Sequence, residues 1–93
     1  MSILSEAQVQ TILRENPEWH LDSGKLVREW KFPDFLQAIA FVNRIAQLAE
    51  SANHHPDIDI RYNKVRLGLI SHDAGGITER DAMMAVTISR ELR

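Results

Sequence analysis

Ninety-three residues, 44% of them apolar and 26% charged, describe one globular domain over 1–93, with no room for a second. A formal net charge of −2 supplies no basic footprint for nucleic acid or an anionic membrane surface. The absence of cysteine excludes disulfides, thiolate nucleophiles and cysteine-bound zinc from this chain, and it fits a cytoplasmic protein.

The start, Met1-Ser2-Ile3-Leu4-Ser5-Glu6, has neither the basic nor the apolar region of a signal peptide. No apolar run approaches the roughly 20 residues of a membrane span. Ser5 and Gln8 form a capping box, with Leu4 and Val9 as its hydrophobic staple. Val9, Ile12 and Leu13 continue at helical spacing until Asn16-Pro17 stops the helix. Two strand-like runs follow, Trp19-His20-Leu21 and Leu26 to Phe32. Asp22-Ser23-Gly24-Lys25 between them reads as a tight hairpin turn, with Gly24 taking the positive φ. In the second run Leu26, Arg28, Trp30 and Phe32 face one side, and Val27, Glu29 and Lys31 the other.

Pro33 suits the first turn of a long helix. Its apolar stripe reads Phe35, Ala38, Ile39, Val42, Ala46 and Ala49, with Leu36, Phe41, Ile45 and Leu48 beside or opposite it. Apolar residues on more than one side predict self-association. After Ser51-Ala52-Asn53, two strands follow around a turn at Asn63-Lys64. Ile58, Ile60 and Tyr62 form one face of the first, with Tyr62 expected in the core. Asp73-Ala74-Gly75-Gly76 is a loop, and Thr78 with Asp81 starts a last helix through Leu92. The order α-β-β-α-β-β-α predicts an α+β fold: a four-stranded antiparallel sheet with three helices on one face.

Chemistry concentrates in His54, His55 and His72. An antiparallel hairpin brings the start of its first strand beside the end of its second. His72 is therefore expected near His54 and His55. Glu50, Asp57 and Asp73 lie close enough in sequence to complete a metal site, but adjacent histidines diverge, and no HxH, HxxxH or HExxH spacing occurs. General acid–base catalysis near neutral pH suits the cluster better. Glu50, one turn before His54, is placed to orient it. His20 has no partner and reads as surface.

Glu50, His54-His55-Pro56, Tyr62, His72 and Asp81 stand at the spacings of the pterin-4a-carbinolamine dehydratase signature. Tyr62-Asn63-Lys64-Val65, Thr78-Glu79-Arg80-Asp81, Trp19 and Phe32-Pro33-Asp34-Phe35 extend the likeness beyond residues 50–81. In these positions the chain resembles that family. The resemblance implies dehydration of 4a-hydroxytetrahydropterins released by aromatic amino acid hydroxylases, with neither metal nor cofactor. It implies His54, His55 and His72 as catalytic residues, with Glu50, Trp19, Pro56 and Asp81 around the substrate. His54 and His72 are expected to share acid and base duties while His55 orients the pterin. On residues alone, Asp81 serves equally well as a helix cap, and Pro56 as a device that ends the turn. A homodimer or homotetramer is expected, without nucleic acid or membrane partners. Three alternatives stay open: a related enzyme of molybdopterin metabolism, a non-catalytic dimerisation module, and an assembly chaperone. The chaperone reading fits poorly, since such members would be expected to lose the histidines.

Overall fold

In the computed structural model, residues 2–92 are described. The helix α1 spans Glu6–Glu15, strand β1 His20–Asp22, β2 Lys25–Lys31, helix α2 Phe35–Ala52, β3 Asp57–Arg61, β4 Lys64–Leu69 and α3 Glu79–Glu91. The strands form one antiparallel sheet in the order β1-β2-β4-β3, so β4 is interior and β3 is an edge. The three helices cover one face, as expected. Among the described residues, no helix is long and apolar enough to cross a membrane.

Local chemistry sets the element ends. Ser5 accepts from the Gln8 amide at 3.2 Å, and Gln8 Oε1 accepts from the Ser5 amide at 2.7 Å, which completes the expected capping box. The β1–β2 turn is the two-residue Ser23-Gly24, with φ of 53° and 77°, the doubly left-handed geometry of tight hairpins. At the other hairpin Arg61 pairs with Lys64, so the turn is Tyr62-Asn63, one residue earlier than expected. Tyr62 takes φ 54° at the tip and lies exposed, not in the core. Asn63 supports the turn by donating its side-chain amide to the Phe32 carbonyl at 2.8 Å.

The core joins Val9, Trp19, Leu26, Phe41, Ile45 and Ile88 to Val65, Leu67 and Leu69, the inward-facing residues of β4. Val9 belongs to this cluster and Leu4 packs against it. The phase of α2 differs from its expected stripe. Ala38, Phe41, Ile45 and Ala49 are buried, whereas Phe35 and Ala46 are exposed. With apolar residues on several sides, periodicity left the phase open, and the position of the sheet decided it. The helical layer stops short of β3. Ile58 and Ile60 pair with Leu67 and Val65, yet both stay exposed on the helical side of an edge strand.

Candidate active site

The C-terminus of α2, the start of β3, the end of β4 and the first turn of α3 meet at one corner of the fold. Asn53 ends α2 in the left-handed conformation, φ 50° and ψ 41°. That reversal takes His54 out of helical register and turns its ring inward. His54 is only 8% exposed, and its Nε2 lies 2.5 Å from Asp81 Oδ1.

Asp81 is fully buried and fully partnered. Its Oδ2 accepts from Ser71 Oγ at 2.9 Å and from the Thr78 amide at 2.9 Å. Ser71 and Thr78 hydroxyls are 2.7 Å apart. Ser71 spends its proton on Asp81, so Thr78 donates to Ser71, and the chain of donors runs towards the carboxylate. Asp81 therefore serves as both helix cap and histidine partner. Its charge also lies at the favourable end of the α3 dipole.

His55 and His72 are exposed, and each also meets a carboxylate through Nε2. His55 Nε2 is 3.0 Å from Glu50 Oε1. His72 Nε2 is 3.4 Å from Asp57 Oδ1. The loop carrying His72 is tied by the Ser71 carbonyl, which accepts from the Ala74 amide at 3.0 Å and the Gly75 amide at 2.9 Å. Gly75 completes it at φ 78°. Asp73 accepts from Arg80 at 2.6 Å, and that guanidinium holds the Asp73 carboxyl below its ordinary range.

An ionised carboxylate only accepts hydrogen bonds. Opposite Asp81, Glu50 and Asp57, all three imidazoles therefore carry their proton on Nε2 when neutral. Nδ1 is left to exchange protons. A groove of about 280 Å³ adjoins His54, lined by Leu48, Ala52, Arg80, Met83, Met84 and Thr87.

Several expected placements change. Glu50 partners His55 and not His54, because the left-handed Asn53 breaks the helical spacing. Trp19 does not reach the histidines. It is 2% exposed, packs edge-on against Trp30 and donates its indole N–H to Ser89 at 3.1 Å. Ser89 lies two turns along α3 from Asp81, about 12 Å at 1.5 Å per residue. Pro56 is half-buried between His55 and β3. His54 is buried, whereas His55 and His72 are open to solvent. His20 is exposed in β1, at the far edge of the sheet. Sequence reasoning missed Ser71. Continuing the inward alternation of Val65, Leu67 and Leu69 by one step would have placed it beside the α3 cap.

A family model for pterin 4 alpha carbinolamine dehydratase matches residues 2–91. A relative from Chloroflexus aurantiacus, provisionally named a pterin-4-alpha-carbinolamine dehydratase, is 52% identical over 88 residues, 95% of each chain. One of the same provisional name from Thermomicrobium roseum is 53% identical over 85 residues, 91% of each chain. A crystal structure from Brucella melitensis, described as a transcriptional coactivator/pterin dehydratase, superposes with a TM-score of 0.88 at 33% identity. It covers 96% of this chain and 97% of its own.

Proposed function

The chain belongs to the pterin-4a-carbinolamine dehydratase family, and on that premise we propose that it dehydrates 4a-hydroxytetrahydropterin to the quinonoid dihydropterin. The observation that carries this reading is the set of three imidazoles at one corner of the fold, each paired through Nε2 with its own carboxylate.

The reaction needs two proton transfers. Hydroxide is a poor leaving group, so an acid protonates the 4a-hydroxyl as the C4a–O bond breaks and water departs. A base takes the N5 proton, and the N5 electrons form the C4a=N5 bond. No electrons are gained or lost overall. His54 and His72 are assigned these transfers. Their carboxylates stabilise the imidazolium formed when either acts as base. His55, held by Glu50, orients the pterin. Asp81 acts on His54 and not on substrate. The proposal includes a cytoplasmic role, recycling the pterin cofactor of aromatic amino acid hydroxylases. The molybdopterin alternative differs only in the pterin supplied. The non-catalytic module gives no reason for three imidazole–carboxylate pairs.

The test is to generate 4a-hydroxytetrahydropterin with a hydroxylase and follow its decay by ultraviolet absorbance. Added protein is expected to accelerate the decay in proportion to its concentration. An unchanged rate would sink the proposal.

Each of the three histidines pairs its Nε2 with a separate carboxylate, and no cluster of three or more His, Asp or Glu fit to hold a metal occurs among the described residues. Activity is therefore expected to survive prolonged chelation and desalting. Loss that zinc alone restores would contradict this.

Self-association is proposed too. The β3 edge, the exposed Ile58 and Ile60, and Phe35 and Leu36 on the first turn of α2 offer apolar surface to a second copy. Light scattering is expected to give at least twice 10.7 kDa, whereas a monomer at tens of micromolar would count against it.

A further inference from the structure

The sheet face opposite the helices carries a line of charge that ends at His72. Lys25 Nζ donates to Asp57 Oδ2 at 2.7 Å, and the other oxygen of that carboxylate is the one facing His72. Lys25 is on β2 and Asp57 on β3, with β4 between them. The lysine crosses β4 at Gly68, the register partner of both Val27 and Asp57. A Cβ at position 68 would stand 3.3 Å from Lys25 Cδ and 3.8 Å from Asp57 Cβ. Glycine there lets the lysine stem lie flat on the sheet. The Lys25 ammonium holds the Asp57 carboxyl below its ordinary range. Desolvation opposes this, and the His72 hydrogen bond adds to it.

We infer that Lys25 and Asp57 are positioning residues: Lys25, lying across Gly68, fixes the Asp57 carboxylate that accepts the Nε2 proton of His72 and leaves Nδ1 free to exchange protons with substrate. The inference rests on the dehydratase reading of His72. An imidazole on an exposed loop has little packing to fix its ring, so a hydrogen bond must do it. A freely rotating surface aspartate would fix nothing, but one anchored by a lysine from another strand can. The 3.4 Å separation is at the long end for a hydrogen bond, and such bonds tighten when substrate closes the site.

Steady-state kinetics of Asp57→Asn, Lys25→Met and Gly68→Val, each alone and combined with His72→Ala, test this. Loss of an outer partner costs roughly 10–100-fold where an imidazole must be oriented. Asp57→Asn is expected to lower kcat about 10-fold or more with KM little changed. Lys25→Met and Gly68→Val are expected to reproduce a smaller part of that loss, and Lys25→Arg to restore it. Gly68→Val reaches the same end without removing a charge, and a β-branched residue suits the strand. With His72→Ala present, none of the three should lower kcat further, because they act through the missing ring. An unchanged kcat in Asp57→Asn, or an undiminished loss in the His72→Ala background, overturns the inference and leaves the dehydratase reading standing. A wild-type protein without dehydratase activity overturns both.

Discussion

Combining His54→Gln with His72→Ala is expected to reduce dehydration to little more than its spontaneous rate. Each acid or base contributes typically about 10²–10⁴-fold, and this pair removes both proton-transferring groups. The losses need not multiply, since groups acting as a unit are not additive. Glutamine is the informative replacement at position 54. His54 is buried against Asp81, and alanine would leave a buried carboxylate without its partner. Glutamine can still donate an N–H from about the position of Nε2, but it has no basic nitrogen. His72 is exposed and His72→Ala carries no such penalty. His55→Ala is expected to act mainly through KM, because an orienting contact is made in ground and transition states alike.

Asp81 carries the other large effect, and two substitutions separate its roles. Asp81→Ala removes the acceptor for His54, Ser71 and the Thr78 amide together. Each buried donor left without an acceptor costs about 1–3 kcal/mol, and three are left here. Against a domain stability of about 5–15 kcal/mol, that is expected to lower the unfolding midpoint steeply in denaturant titrations. Asp81→Asn is subtler. Its carbonyl can still serve Ser71 and Thr78, so most of the fold is retained. Its amide N–H₂ then faces His54 Nε2 and requires that nitrogen to accept. The His54 proton moves to Nδ1, and the ring presents the wrong nitrogen to substrate. A fall in kcat of about 10²-fold or more is expected, with KM little changed and circular dichroism near wild type. Full activity in Asp81→Asn would show that the His54–Asp81 pair is structural only.

Much of this was legible in the sequence because it rests on local rules. The capping boxes at Ser5 and Thr78 and the turn at Gly24 each depend on residues within four positions of one another. Hairpin geometry alone put His72 near His54 and His55, and although the turn lies one residue from its expected place, the His72 ring meets Asp57, two residues beyond His55. What could not be read depended on tertiary choices. Glu50 and His54 are one helical turn apart only while the helix lasts, and the left-handed Asn53 ended it. Trp19 carried no mark to separate a core indole from a ligand-facing one, because its Ser89 partner is 70 residues away. The Lys25–Asp57 pair spans three strands, and sheet order set it, not spacing.

The most direct measurement is kcat for His72→Ala against His20→Ala, with 4a-hydroxytetrahydropterin generated by a hydroxylase and both folds confirmed by circular dichroism. His20 lies exposed on β1, at the edge of the sheet away from the histidine corner, and no catalytic duty falls on it. A loss of about 10²-fold or more in His72→Ala, with wild-type kcat in His20→Ala, is the predicted result. Full kcat in both would contradict histidine acid–base dehydration and leave a non-catalytic binding role as the better reading of this fold.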